Sequence, residues 1–369
     1  IAADANIEDY VAGLPFPPES IDPGSPQAGV KWAWNLEHRF RGSGPVGNFR
    51  LVDVATRIGR NHTYEGFFFF YQTRHRADLA ASEYSVEGSS GDLWVSGGRF
   101  LKPEAARHLA WRQVRPEEVQ EKYNLSDNTF VYVPTMRKVR RSATPWVDGV
   151  YVPRYSVAGD TGGGGMPLAS DGYTGAAGSI NPASAVSIHQ TENMRRGFAS
   201  LALRPNAYVW RVLGEREVIA PLNVSRPGYP IENERNYGPH GLSVANDRWD
   251  VRWAVVLEGL IRMSDQGFRS VVLYVDWQTQ QPLYIITKAS RGRILEVGIP
   301  VHRFSGDVIN YPSWPTGERA SVFDPVAEVF YRLADDSGWR RESYNVRSTP
   351  AEERVRRRFT STDFLTRGH

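Results

Sequence analysis

The eight histidines of this 369-residue chain are the first residues to test for chemistry, because an imidazole can ligate a metal or move a proton near neutral pH. His38, His62, His75, His108, His189, His240, His302 and His369 are scattered, without His-x-x-x-His or His-Glu-x-x-His spacing. No single helix can therefore present two of them to a zinc ion. His38 lies among apolar residues and reads as a core histidine. There is no cysteine, which removes disulfides, thiolate nucleophiles and cysteine-ligated metal sites. Gly162 to Gly165 look like a phosphate loop but lack the Lys-Ser/Thr that follows in such loops. Neither Gly88-Ser89-Ser90-Gly91 nor Gly42-Ser43-Gly44 has the spacing of a serine nucleophile elbow. Asp335 and Asp336 are adjacent carboxylates, but they precede Ser337-Gly338 and read as turn residues. These patterns call for no catalytic residue, no metal and no cofactor, and the chain reads as a non-enzyme.

One charged cluster stands out. Thr129 to Ser142 join an apolar strand signal, Phe130 to Val133, to Arg137, Lys138, Arg140 and Arg141 across Pro134. Proline ends regular pairing or confines it to a sheet edge. In an extended chain Arg137 and Arg141 point to one face, and Lys138 and Arg140 to the other. Charge on both faces argues against a one-sided nucleic-acid stripe, as does the small net charge of +3, from 44 basic and 41 acidic residues. The segment reads as a strand at the rim of a curved sheet. Its cations are either a docking site for an acidic headgroup or partner, or the solvated protection of an edge strand.

Composition decides what scaffold holds it. A hydrophobic content of 41% suffices for a large core. No stretch reaches the roughly 18 apolar residues of a spanning helix, so the chain is expected to be soluble or peripheral to a membrane at most. It begins Ile1-Ala2-Ala3, and the expectation is that a signal peptide has been removed. The 11 Trp, 17 Tyr and 16 Phe, with 34 Gly and 24 Pro, favour strands and turns.

Alternation from Lys31 to Phe40, with Trp32, Trp34, Leu36, His38 and Phe40 on one parity, predicts a first strand. Further strands are expected at Phe49–Ile58, at Phe67–Tyr71, and at Asp92–Ser96 bracketed by Gly91 and Gly97-Gly98. A meander is expected at Arg252–Met263, Ser270–Asp276, Leu283–Ser290 and Arg293–Ile299, and a hairpin over Glu328–Val346 turning at Asp335–Gly338. Helical signals occur at Ile7–Ala12, Glu104–Val114, Pro116–Tyr123, within Ala183–Leu203 and at Glu352–Arg358, and Gly159–Gly178 reads as a long loop. The expected organisation is an irregular arm over 1–30, one sheet domain over 31–349 with insertions near 103–123 and 159–203, and a basic tail over 350–369.

The aromatic surplus has two readings. Trp32, Trp34, Phe68, Phe70 and Trp253, with Leu257, either fill a core or line the cavity of a curved antiparallel sheet able to hold an acyl chain. Both readings stay open at this point.

Gly13-Leu14-Pro15-Phe16-Pro17, Lys31-Trp32-Ala33-Trp34-Asn35 with Arg39-Phe40-Arg41-Gly42, Tyr132-Val133-Pro134 leading into Arg137–Arg141, Tyr274-Val275-Asp276-Trp277, and the ending from Phe359 to Gly368 carry a family resemblance. Together they resemble a bacterial family of unknown function described as outer-membrane lipoprotein-sorting-like, related to the periplasmic carrier LolA and its outer-membrane acceptor LolB. The resemblance implies a mainly β (α+β) fold, a large, strongly curved antiparallel sheet forming a half-open barrel with a few helices over its concave face. It implies a Gram-negative, exported, periplasmic protein, associated with the outer membrane, that binds or carries a lipid, lipoprotein acyl chain or other hydrophobic compound. The implied protein partner is an exporter of the resistance-nodulation-division type or an outer-membrane protein. It supplies no catalytic residues. Two other classes compete: a structural or assembly partner at the outer membrane, which predicts a solid core and a co-purifying protein, and a hydrolase of hydrophobic substrates, which predicts histidines and carboxylates converging in a cleft.

Overall fold

The computed structural model describes residues 1, 5–55, 60–79, 84–86, 91–134, 137–142, 202–224, 248–262, 268–314, 317–333, 338–348 and 361–366. Among them thirteen strands form one antiparallel sheet. In chain order they are β1 (Val46–Ala55), β2 (Arg60–Gln72), β3 (Asp92–Lys102), β4 (Ala110–Pro116), β5 (Asn128–Val133), β6 (Lys138–Ser142), β7 (Tyr208–Ala220), β8 (Asp250–Ile261), β9 (Ser270–Asp276), β10 (Pro282–Lys288), β11 (Ile294–Phe304), β12 (Phe323–Arg332) and β13 (Gly338–Arg347). Two helices accompany them among the described residues, α1 (Ala28–His38) and α2 (Asp363–Thr366).

The spatial order β6-β5-β4-β3-β2-β1-β13-β12-β11-β10-β9-β8-β7 is two meanders joined where β1 pairs with β13, from Val46 opposite Arg347 to Val54 opposite Trp339. Among the described residues the sheet is not closed, and β6 and β7 are its edges. The expected fold class, a large curved antiparallel sheet of mainly β character, is the one observed.

Strand parity separates two faces. The inner face carries Phe49, Phe68, Phe70, Trp94, Phe100, Trp111, Val131 and Tyr344 in one apolar cluster. In a second cluster Trp32, Trp34 and Leu36 of α1 pack on Trp210, Val255, Leu257, Leu273 and Val275. The outer face carries Phe69, Tyr71, Val95, Val114 and Tyr132 beneath Phe364 and Leu365 of α2. Arg99 tethers α2 by donating from Nη2 to the Phe364 carbonyl at 2.7 Å. Phe68, Phe69 and Phe70 are all fully buried, the two-sided burial expected of an all-aromatic strand.

The segment read as a first strand is a helix. Ten of the eleven residues of α1 are buried, because it lies between the sheet and the N-terminal arm, where Ile7 and Ile21 join its cluster. A helix covered all round shows no single apolar stripe. Its polar positions are also satisfied inside: Asn35 accepts from the Phe16 amide at 3.0 Å, and Glu37 accepts from the Leu203 amide.

Other expectations need correcting. Ile7–Ala12 forms no helix. Glu104–Val114 is a 3-10 turn at Glu104–Ala106 followed by β4. Pro116–Tyr123 keeps only a 3-10 turn at Glu117–Gln120. Gly97 and Gly98 do not end a strand but lie inside β3, since a Cβ on Gly98 would meet the Trp111 ring at 2.6 Å. The expected loop at 159–178, the helix within 183–203 as far as residue 201, the turn at Asp335–Gly338 as far as residue 337, and the helix at 352–358 lie outside the described residues.

Candidate functional site

The strand reading of Thr129–Ser142 holds: β5 and β6 pair antiparallel about Pro134, from Thr129 opposite Ser142 to Val133 opposite Lys138. Among the described residues β6 is an edge strand, and residues 137–141 are exposed. Lys138 and Arg140 stand opposite inner-face Val133 and Val131, while Arg141 stands opposite Phe130 on the other face. Arg141 Nη2 donates to Asn128 Oδ1 at 2.6 Å.

The proposed cavity residues fall into three places. Trp32, Trp34 and Leu257 share the cluster under α1. Phe68 and Phe70 belong to the neighbouring cluster. All five are no more than 3% exposed, so a ligand reaching them has to displace native contacts. Trp253 is apart from them, 49% exposed at the far end of β8, with Nε1 donating to Glu215 Oε2 at 2.7 Å.

Between the two inner clusters runs a seam of buried charge that composition alone did not signal. Asp127 receives Arg115 at 3.0 Å and Arg204 at 2.9 Å, with all three side chains essentially buried. Arg115 also lies over Trp94 at 4.6 Å and donates to the Leu203 carbonyl at 3.0 Å. Arg39, at the end of α1, donates from Nε to Gln281 Oε1 at 3.2 Å. Burial, and then the like charge of Arg41, pull the Arg39 guanidinium down to about 9.

Histidine 302 is buried in β11, and burial first, then the charge of Arg39, hold its imidazole down to about 3. His38 and His75 are lowered in the same direction, chiefly by burial, and both pack on Tyr10, with ring centroids 4.1 and 4.7 Å from it and 5.7 Å from each other. An unfolded histidine titrates near 6.5. Below that pH the unfolded chain binds protons that the folded chain refuses, so stability must fall as pH drops from about 6.5 towards 3. Each such histidine adds a slope of up to about 1.4 kcal/mol per pH unit. The expected result is a urea midpoint that declines steeply below pH 6, and a shallower decline in His302→Asn, measured by urea titration at several pH values.

An open groove lies on the outer face, at the centre of the sheet. It encloses about 530 Å³ and is lined from β1, β2, β3, β11, β12 and β13, within the 300–1,000 Å³ range of ligand sites. The strand register explains its lining. Lys102, Glu65, Arg50, Ser343 and Ala327 stand opposite one another in a row across five strands. In the adjacent outer-face row Asn48 stands opposite Asn345. Leu101, 48% exposed, and the buried Val326 at an irregularity of the β11–β12 pairing supply apolar surface. Glu65 is shared, with Lys102 Nζ 2.9 Å from one oxygen and Arg50 Nε 3.9 Å from the other. At the other end Arg303 lies 3.9 Å from Asp324. Burial lowers Arg303 and raises Asp324.

None of these groove residues was singled out from the sequence. Their types are ordinary for a sheet surface, and the pairing of β1 with β13 that assembles them leaves no local signal. Among the described residues no group of histidines and carboxylates could hold a metal ion, and no helix is long and apolar enough to cross a membrane.

No curated protein matches the sequence. A solved outer membrane lipoprotein-sorting protein domain from Vibrio parahaemolyticus is similar over 93% of this chain and 100% of its own, at 11% identity and a TM-score of 0.47. A DUF1329 family protein from Desulfovibrio piger is similar over 93% of this chain and 99% of its own, at 10% identity and a TM-score of 0.49. A LolA superfamily protein from Nitrosomonas europaea covers 88% of this chain and 93% of its own, at 11% identity and a TM-score of 0.39. The resemblance carried by Trp32–Gly42 and Tyr132–Arg141 is matched at the level of sequence families, since residues 1–154 fit the model described as "Protein of unknown function (DUF1329)".

Proposed function

We propose that this chain is a non-enzymatic carrier, acting in the periplasm, that binds a lipid, a lipoprotein acyl chain or another hydrophobic compound. The observation that carries the reading is the outer groove, about 530 Å³ of concave surface at the centre of an open sheet, with exposed Leu101 at its wall and charges along one side. Apolar surface left in water at a concave site is where an apolar ligand gains most. Ten buried methylenes contribute about 8 kcal/mol before the cost of ordering the chain, enough for binding without any covalent step. Among the described residues no histidine lines the groove, and its Ser343 hydroxyl accepts from Arg341 Nε at 3.3 Å rather than facing a base. That supports binding over hydrolysis.

Mass spectrometry of organic extracts from natively purified protein, paired with titration of a fluorescent fatty acid, tests the proposal. A co-purifying amphiphile or saturable uptake of the probe is expected. Repeated absence of both would remove the carrier reading.

Exposed β6 favours a second role on the same molecule. Its three cations, Lys138, Arg140 and Arg141, with Arg137 just before them, suit docking to an acidic surface, whether of an exporter of the resistance-nodulation-division type or of an outer-membrane protein. This docking role is the part of the structural-partner alternative that the geometry favours.

A further inference from the structure

We infer that the groove takes a linear single-chain amphiphile with a negatively charged head, a carboxylate or a phosphate monoester, held by Arg50 and Lys102 beside Leu101 while the chain runs on over Val326. The inference rests on the carrier reading and specifies its ligand.

Three observations carry it. First, the lining extends from β3 to β11, with four strands between them. At about 4.8 Å per strand that is a run of roughly 20–25 Å, long and narrow enough for one extended chain rather than a fused ring system. Second, the outer row places two cations on either side of a single carboxylate, Lys102 and Arg50 about Glu65. One negative charge cannot neutralise both. Third, Glu65 is committed to Lys102 at 2.9 Å and stands 3.9 Å from Arg50 Nε. That Nε is shielded from solvent and has no hydrogen-bond acceptor. A shielded guanidinium N–H is a costly group to leave unsatisfied, and an anionic oxygen beside it supplies a charge-assisted acceptor. At the far end Arg303 already faces Asp324, so the head belongs at the Lys102–Arg50 end and the tail points towards β11.

Equilibrium dialysis of the full chain against hexadecanoate, hexadecyl phosphate, hexadecanol and inorganic phosphate tests this. Both anionic amphiphiles are expected to bind at least about tenfold more tightly than the alcohol, a factor worth one charge-assisted contact, and inorganic phosphate alone is expected not to bind measurably. The double variant Arg50→Gln/Lys102→Gln is expected to lose that preference. Both positions lie on the solvent side of the sheet, and a thermal melt confirms the fold. Equal affinity for acid and alcohol, or a preference that survives the double substitution, overturns the headgroup assignment while leaving the carrier reading standing. Binding of inorganic phosphate as tight as that of hexadecyl phosphate overturns the amphiphile assignment in favour of a plain anion site. Failure of all three long-chain compounds to bind overturns the carrier reading together with the inference.

Discussion

Asp127→Ala is expected to cost about 3–5 kcal/mol of folding stability, among the largest losses any single substitution here should produce. The carboxylate is fully buried and receives Arg115 from β4 on both oxygens, at 3.1 and 3.0 Å, and Arg204 at 2.9 Å. Gln113 donates to it at 2.7 Å. Removing it leaves two buried guanidiniums without their main counter-charge, and burial of an uncompensated ion is expensive whatever the pair contributed when intact. The loss is also structural. Arg204 donates to the carbonyls of Tyr123 and Leu125 as well as to Asp127, so it ties the segment entering β7 to the loop entering β5, across the two meanders. Urea unfolding followed by tryptophan fluorescence measures the change. A loss of unfolding free energy much smaller than about 3 kcal/mol would mean that water reaches the seam.

The second large effect is expected at the helix that sequence periodicity mistook for a strand. Trp34→Ala should cost about 3–5 kcal/mol, the usual range for deleting a buried large aromatic. Trp34 is 2% exposed, stacks on His38 at 5.5 Å and donates from Nε1 to the Ala5 carbonyl at 2.9 Å. It therefore fixes the N-terminal arm as well as filling the cluster beneath α1. Beyond a lower melting temperature, the variant should show faster amide exchange over residues 5–21 than over β1 and β2. Uniform exchange would assign Trp34 to core filling alone.

These two sites show where sequence is informative and where it is not. The β5–β6 hairpin was legible because its signals are local: a β-branched and aromatic run, Pro134, and cations on both parities of a five-residue strand. The meander from β8 to β11 was legible for the same reason, with short links between strongly apolar strands. α1 was not. Buried on nearly every side, it has no solvent stripe to set a 3.6-residue period, and Trp32, Trp34, Leu36 and His38 leave an alternation that mimics a strand. Asp127, Arg115 and Arg204 look like ordinary surface charges until the fold buries them. The groove was invisible because Lys102, Glu65 and Arg50 meet Ser343 only through the β1–β13 ladder between the two meanders.

Blocking the outer groove tests most directly whether it is the ligand site. Asn345 is exposed, lines the groove and stands opposite Asn48 on β1, so Asn345→Trp fills the space with a residue that suits a strand surface. Binding of hexadecanoate to this variant, measured by equilibrium dialysis beside the unaltered protein, is expected to weaken by at least about tenfold with the melting temperature unchanged. Unaltered affinity in a folded Asn345→Trp protein would contradict the account and move the ligand to the inner face, beneath α1.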